Sequence, residues 1–248
     1  MYIKSKDNKN FKLLRSLSNK KYRGKLNLFV AEGHNLLKDF ENIKIKNLFI
    51  RESDQKKYSQ IYSDLENITY IVDDEIFNSV ADTVNSNGIL AIIEKPEIKK
   101  IKSDLVVVLD RIRDPGNLGT ILRTSVAMGV LDFVLINCVD PYSQKVVRAS
   151  MGGVFYANII QCNIVDLLEI LPDYKFCALD MEGENIYKFK PFEKLALVVG
   201  SEATGLSDEI KKHTDIYLSI PMQSGLIESL NAAVSCSIAV STILNNKI

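Results

Sequence analysis

Short apolar runs alternate along the chain with polar and amphipathic stretches, and this alternation predicts an α/β fold. In the second half the runs are rich in β-branched residues, which is typical of a parallel sheet covered on both faces. These runs predict strands over residues 105–110, 132–137, 175–180, 195–200 and 216–221. The stretches between and after them predict helices over residues 117–128, 143–151, 165–170, 207–213 and 229–246.

The first half of the chain shows the same alternation on a smaller scale. It predicts strands over residues 28–33, 45–50, 68–72 and 88–93. It predicts helices around residues 11–17 and over residues 34–41, 56–65 and 75–81. A charged stretch that contains Pro96 separates the halves and is typical of a linker. We therefore expect a small α/β domain over residues 1–97 and a second domain over residues 103–248.

The composition is that of an ordinary globular protein, with 46% hydrophobic and 25% charged residues among 248. No apolar stretch reaches the roughly 18–20 residues of a membrane-spanning helix. The first residues lack the apolar core of a signal peptide, so a cytoplasmic location is expected. The scattered cysteines form no CxxC pair and have no histidine at metal-ligand spacing, which predicts reduced thiols and no metal site. They are Cys138, Cys162, Cys177 and Cys236.

The charge is unevenly distributed although the formal net charge is zero. Within residues 1–25, nine basic residues face a single acidic one, Asp7. A local basic arm of this kind can contact phosphates even on a neutral protein. The alternative interpretation is a solvated helix face. The basic residues are Lys4, Lys6, Lys9, Lys12, Arg15, Lys20, Lys21, Arg23 and Lys25.

The most informative segment follows the predicted strand at 105–110. A turn over residues 114–119 contains Asn117, and Arg123 follows six positions later in a predicted helix. Open α/β sheets bind their ligands at loops of this kind, at the C-terminal ends of strands. The alternative is that Asn117 is a helix N-cap and Arg123 an ordinary surface arginine.

A second loop follows the strand at 195–200. Gly200 would allow close approach to the backbone, Gly205 would permit a positive φ, and Glu202 between them could accept hydrogen bonds. The alternative is a capping turn before a helix that starts near Ser207. Neither the GxGxxG nor the GxxxxGK[ST] phosphate-binding pattern occurs, which disfavours a nicotinamide or ATP enzyme.

A third loop begins at Pro221, where a strand is expected to stop. Ser229 is predicted to cap the final helix, which places Asn231 just inside its first turn. Asparagine is a poor helix former, and a polar side chain beside an apolar helix needs a partner. This pattern favours a functional role for Asn231. Three loops of one kind predict a single composite site.

Together these segments resemble the SpoU-type RNA ribose 2′-O-methyltransferases of the SPOUT class. Residues 114–119 with Arg123 resemble the first family motif, residues 200–206 the second, and residues 220–222 with 229–231 the third. Residues 140–153 are also similar to a family segment, with Arg148 and Ser150 in the expected places.

The resemblance extends to the first half and has two departures. Residues 20–33 and 85–93 are similar to the substrate-recognition domain found in many members. The stretch between Met222 and Ser229 is one residue longer than the common pattern, and alanine follows Asn231 where valine is common.

The resemblance implies a fold, a reaction and partners. The implied fold is α/β, with a C-terminal parallel sheet that carries a deep trefoil knot, preceded by a small α/β domain that binds the RNA substrate. The implied reaction is metal-free methyl transfer from S-adenosylmethionine to a ribose 2′-hydroxyl of RNA, in a homodimer with the site close to the interface. Ribosomal RNA is favoured over transfer RNA as the substrate. The alternatives are a catalytically silent ribosome-assembly factor of the same fold and a nucleotide-binding enzyme of ordinary doubly wound type.

The resemblance also implies roles for individual residues. The residues expected to contact the cofactor, mainly through backbone groups, are Gly200, Ile220, Met222 and Leu230. Arg123 is expected to bind the neighbouring phosphate and to stabilise charge that develops on the attacking oxygen. The residues expected to orient this arginine and the ribose are Asn117, Glu202, Ser229 and Asn231.

Overall fold

The structure is a computed structural model that describes residues 1–37, 43–59, 61–81, 86–223 and 226–247. It forms two compact units. The first comprises Met1–Lys95 together with Tyr142–Phe155, and the second comprises Pro96–Pro141 together with Tyr156–Ile248. Within the described ranges no helix is both long and apolar enough to cross a membrane.

The first unit contains a five-stranded mixed sheet in the order β1-β4-β3-β5-β2. The strands β1, β4 and β3 run parallel to one another, whereas β5 pairs antiparallel with both β3 and β2. These strands are β1 (Tyr2–Ile3), β2 (Leu28–Glu32), β3 (Ile45–Arg51), β4 (Thr69–Val72) and β5 (Ile89–Glu94).

The second unit contains a six-stranded, fully parallel sheet in the order β11-β9-β10-β6-β7-β8. Every residue of β6, β7 and β10 is buried, as expected for a parallel sheet covered on both faces. These strands are β6 (Leu105–Asp110), β7 (Asp132–Ile136), β8 (Asn158–Cys162), β9 (Lys175–Asn185), β10 (Leu195–Val199) and β11 (Ile216–Ser219).

The helices lie between strands along the chain, except for the last one, which follows β11. They are α1 (Lys9–Ser16), α2 (Lys20–Leu26), α3 (Gln55–Tyr58), α4 (Asp74–Asn78), α5 (Pro115–Ala127), α6 (Gln144–Ala149), α7 (Gly153–Tyr156), α8 (Ile164–Ile170), α9 (Asp208–Lys211) and α10 (Ala232–Asn246). Short 3₁₀ turns cover His34–Leu36, Glu52–Asp54, Ser63–Ile68 and Ile186–Lys188.

The strand register places two loops side by side. Leu109 at the end of β6 pairs with Val199 at the end of β10. Because these neighbouring strands are parallel, the chain segments that leave them emerge at the same edge of the sheet. The loop before α5 and the loop that contains Glu202 therefore start next to each other.

The predicted α/β class with a parallel C-terminal sheet is confirmed, while the knot stays a prediction. The structure adds β8, which the sequence pattern does not predict because Ile159 and Ile160 stand between polar residues, and it extends β9 to Asn185. The predicted helix at 56–65 is instead α3 followed by the 3₁₀ turn at Ser63–Ile68. The predicted helix at 34–41 begins as a 3₁₀ turn, and residues 38–41 lie outside the described residues.

The segment Tyr142–Phe155, which the sequence assigned to the second domain, packs with the first unit. The ring centroid of Phe29 in β2 lies 5.1 Å from that of Tyr142 and 6.0 Å from that of Phe155. Val146 and Val147 of α6 are fully buried. The segment is therefore part of the core of the first unit.

Candidate active site

The first loop is shaped by the start of α5. Asp114 is the N-cap, its Oδ1 accepts a hydrogen bond from the backbone N–H of Asn117 at 2.7 Å, and Pro115 occupies the first helical turn. The alternative in which Asn117 caps the helix is therefore wrong. The side chain of Asn117 is instead available for contacts outside its own helix.

The second loop is closed by two hydrogen bonds between Ser201 and Gly205, and its shape depends on two glycines. The backbone N–H of Ser201 donates to the carbonyl of Gly205 at 3.1 Å, and the N–H of Gly205 donates back at 2.7 Å. A Cβ at Gly200 would lie 2.6 Å from the carbonyl carbon of Gly205, and Gly205 has a φ of +61°. Any side chain at position 200 would collide with the loop, so glycine is required there to hold Glu202 at the loop tip.

The third loop ends in Asn231, which is the N-cap of α10. Its Oδ1 accepts hydrogen bonds from the N–H groups of Ala233 and Val234 at 3.0 and 3.2 Å. The prediction that Ser229 caps this helix is wrong, because the chain remains non-helical as far as Asn231. Asparagine caps as well as serine does, and its amide also keeps a donor for other partners.

Glu202 joins the three loops through one carboxylate oxygen. Its Oε1 accepts hydrogen bonds from Asn117 Nδ2 at 3.0 Å, from Asn231 Nδ2 at 2.7 Å and from the N–H of Ala232 at 2.9 Å. Asn231 Nδ2 also donates to Asn117 Oδ1 at 2.9 Å. The carboxylate lies at the N-terminus of α10, where the helix dipole favours negative charge. The structure thus brings Asn117, Glu202 and Asn231 together.

A cleft of about 120 Å³ lies beside this cluster. Ser229 and Leu230 line the cleft, and Asn231 follows them directly in the chain. Of the four residues predicted to contact a cofactor, Ile220, Met222 and Leu230 line the cleft, whereas Gly200 is not among its lining residues. The lining residues are Leu179, Asp180, Met181, Leu218, Ile220, Met222, Ser229, Leu230 and Ser235.

Sequence reasoning missed the wall of the cleft that β9 supplies. In the β9–β11 ladder Tyr217 pairs with Ala178, but the next residue, Leu218, pairs with Glu184, so residues 179–183 bulge out of the ladder. Gly183 makes this possible, because a Cβ there would lie 2.5 Å from the backbone nitrogen of Leu218. A glycine inside a strand is the sequence signal for such a bulge.

Arg123 is not part of this hydrogen-bonded cluster. It is exposed on α5, and in the described part of the chain no hydrogen bond or ion pair connects it to the three joined residues. The adjacent Thr124 bonds through its hydroxyl to that of Ser237 in α10 at 2.9 Å. The helix face next to Arg123 is therefore occupied by α10, and the guanidinium remains in contact with solvent.

The architecture defines a class of protein. A parallel sheet with an apolar cleft and a fixed cluster of amide and carboxylate groups at the ends of its strands is typical of an α/β enzyme that binds a small, partly apolar cofactor. The SpoU rRNA Methylase family model matches residues 104–241, and the model of an MRM3-like substrate binding domain matches residues 8–91. The chain belongs to the SpoU rRNA methylase family, which confirms the resemblance of its motifs.

Individual relatives cover nearly all of the chain. The chain is 31% identical over 248 residues to the 23S rRNA (guanosine(2553)-2′-O)-methyltransferase RlmP of Bacillus subtilis, covering 96% of this chain and 97% of that protein. It is similar to the crystal structure of an AdoMet-bound rRNA methyltransferase from Sinorhizobium meliloti, with a TM-score of 0.86, 27% identity and coverage of 100% and 98%. The SpoU methyltransferase AviRb from Streptomyces viridochromogenes, at 21% identity, a TM-score of 0.82 and coverage of 97% and 99%, shares the fold.

Proposed function

We propose that this protein transfers a methyl group from S-adenosylmethionine to a ribose 2′-hydroxyl of RNA, and that its substrate is ribosomal RNA in the cytoplasm. The observation that carries the proposal is the convergence of Asn117, Glu202 and Asn231 from three distant segments, directly beside residues that line a cleft. The relatives named as rRNA methyltransferases support ribosomal RNA over transfer RNA.

The lining of the cleft suits this cofactor in its chemistry. Ile220, Met222 and Leu230 offer apolar surface for an adenine ring, while Asp180 and Ser229 offer polar groups for hydroxyl or ammonium groups. When bound, S-adenosylmethionine supplies a methyl group that is already activated by its sulfonium centre, so the reaction needs no metal.

The protein's own contribution is positioning and charge. Glu202 and the two asparagines form a cross-linked cluster that cannot rearrange without breaking several hydrogen bonds. Holding two reactants in line can supply roughly 7–11 kcal/mol of a barrier. A guanidinium stays protonated in proteins, so Arg123 is not a base. It binds the phosphate next to the target ribose and stabilises negative charge on the attacking oxygen.

RNA binding is supported by the first unit, with one correction to the basic arm. Arg23 is buried, and its Nη1 donates to the carbonyls of Leu17 and Ser18, both at 2.7 Å, so it joins α1 to α2 and is not available to RNA. The side chains of Lys20, Lys21 and Lys25 remain exposed on α2. The arm is therefore a folded basic surface on two helices.

The basic surface predicts salt-dependent binding. Replacing Lys20, Lys21 and Lys25 by alanine should make the plot of log association constant against log salt concentration less steep by about 2–3. Each lost phosphate contact releases about one counterion fewer. Filter binding of rRNA fragments at several salt concentrations measures the slope. A variant with three exposed lysines replaced elsewhere, at Lys188, Lys190 and Lys194, is the control. Equal slopes for both variants would place the RNA on another surface.

The proposed reaction is tested by following tritium from labelled S-adenosylmethionine into RNA. Ribosomal RNA from a strain that lacks the gene should accept the label, whereas transfer RNA from the same strain should not. The product should contain a dinucleotide that resists alkaline hydrolysis, because a methylated 2′-oxygen cannot attack the neighbouring phosphate. RNA binding with no label transfer would instead support the silent assembly factor. Calorimetry with S-adenosylmethionine, NAD and ATP distinguishes the methyltransferase and the assembly factor from a nucleotide-binding enzyme, which would bind NAD or ATP.

A further inference from the structure

The loop that carries Glu202 is attached to the sheet at a second place, away from the two asparagines. Asp110, the last residue of β6, is fully buried, and its Oδ2 accepts a hydrogen bond from the backbone N–H of Ser207 at 2.6 Å. The guanidinium of the next residue, Arg111, donates through Nη2 to the carbonyl of Gly205 at 3.3 Å. Two consecutive side chains thus hold two backbone groups of the same loop.

The two side chains also depend on each other electrostatically. Arg111 Nε lies 3.6 Å from Asp110 Oδ1, an ion pair just beyond hydrogen-bond distance. Within the described residues neither of these two buried atoms has a hydrogen-bond partner. A buried carboxylate is costly unless a cation compensates it. Arg111 supplies that charge, and Asp110 in turn keeps the guanidinium over the loop.

The backbone of Arg111 is strained in order to reach this position. Its φ is +61°, in the left-handed region that non-glycine residues rarely adopt. Such strain persists only where the surrounding structure over-determines it, and it concentrates at functional sites. The conformation turns the side chain back towards Gly205, whose carbonyl also accepts the hydrogen bond that closes the loop from Ser201.

We propose that Asp110 and Arg111 are positioning residues that hold the loop of residues 200–207, so that the Glu202 carboxylate stays fixed between Asn117 and Asn231. The inference rests on the proposed function for its catalytic consequence. Neither Asp110 nor Arg111 lines the cleft, and neither is assigned a contact with substrate or cofactor. The pair acts through Glu202.

The decisive variant is Arg111→Gly, because glycine removes the guanidinium, while relief of the positive φ offsets part of the cost of leaving Asp110 without its cation. We expect kcat to fall about tenfold to a hundredfold, as for a small misplacement of a catalytic group. The Kd for S-adenosylmethionine, measured by calorimetry, should change by no more than about twofold, since the cleft is not touched. Asn137→Gly relieves a φ of +51° at the end of β7 and should leave kcat unchanged.

Two further measurements separate positioning from general stability. The backbone N–H of Ala232 donates to Glu202, so in Arg111→Gly its hydrogen exchange should accelerate by about tenfold. In a Glu202→Gln background Arg111→Gly should cause no further loss of kcat, because residues that act through one group are not additive. Arg111→Lys, which keeps a positive charge beside Asp110, should give an intermediate kcat and replaces Arg111→Gly if that variant does not fold.

The proposal would be overturned if hydrogen exchange at the Ala232 N–H were unchanged in Arg111→Gly. It would also be overturned if the losses of kcat from Glu202→Gln and Arg111→Gly multiplied in the double variant. A wild-type protein that transfers no methyl group would instead refute the proposed function. In that case the exchange measurement still decides whether Asp110 and Arg111 hold the loop.

Discussion

Asn231 combines two tasks that different atoms of one amide perform. Its oxygen caps α10, and its nitrogen donates to Asn117 and Glu202. Serine can perform the first task and alanine neither. The two substitutions therefore separate the structural contribution of this residue from its contribution to the site.

Asn231→Ala should lower the free energy of unfolding by about 0.5–2 kcal/mol, the usual loss when a cap is removed. Asn231→Ser should preserve stability but lower methyl transfer as strongly as alanine does, because the amide donor is lost in both. Urea unfolding and tritium transfer measure the two effects. If serine restores activity as well as stability, the donor has no role in the reaction.

Arg123 is the remaining residue on which the proposed chemistry depends. Arg123→Ala should abolish most methyl transfer while leaving stability within about 0.5 kcal/mol of wild type, because the side chain is exposed. Arg123→Lys should also be poorly active, since a single point charge cannot replace a planar fork. Tritium transfer to rRNA measures both variants. Activity equal to that of wild type in Arg123→Ala would remove this residue from the mechanism.

At the scale of elements, the bulge in β9 is what turns a regular strand into a wall of the cleft. It depends on the close approach of Gly183 to β11, which Ser219 reinforces by donating its hydroxyl to the carbonyl of Gly183 at 2.8 Å. Residues Leu179, Asp180 and Met181 reach the cleft only because the ladder is interrupted.

Gly183→Ala should therefore displace the bulge, because its Cβ would collide with backbone that cannot rotate away. We expect a loss of about 1–3 kcal/mol in unfolding free energy and weaker binding of S-adenosylmethionine. Gly24→Ala is the matched control, since nothing lies within 4 Å of its Cβ and α2 should gain about 0.5–1 kcal/mol. Equal cofactor affinity in both variants would show that the bulge does not shape the site.

The sequence predicted elements best where burial and residue type agree. The strands β6, β7 and β10 are fully buried and β-branched, so their pattern was unambiguous. At β8 only Ile159 is buried, and no apolar run marked the strand. The convergence of Asn117, Glu202 and Asn231 could be expected from strand ends, but their mutual hydrogen bonds could not. Those bonds depend on side-chain directions that spacing does not encode.

At the scale of the whole molecule, burial raises the pKa values of the cysteine thiols. It raises the pKa of the Cys138 thiol to about 11 and that of Cys177 to about 12. Both thiols are buried, and the cysteines of the described residues are unpaired. At neutral pH these thiols are therefore protonated.

The raised thiol pKa values predict that the protein loses stability in alkali. Above pH 9, the ordinary thiol pKa, the unfolded chain releases these protons while the folded chain retains them. Each thiol should then lower the free energy of unfolding by up to about 1.4 kcal/mol per pH unit until pH approaches its folded value. Urea titrations across this range measure the slope. A Cys138→Ala/Cys177→Ala variant should show a flatter curve, and an equal slope would exclude the thiols as the cause.

The segment Tyr142–Phe155 has a consequence for the history of the gene. The chain enters the first unit, leaves it, returns for these residues and leaves again. An ancestor that exchanged its first unit for another by a single recombination near Pro96 would have kept α6 without the β2 surface that buries it. A first unit acquired by such an exchange would therefore have needed an apolar side chain where Phe29 contacts Tyr142 and Phe155.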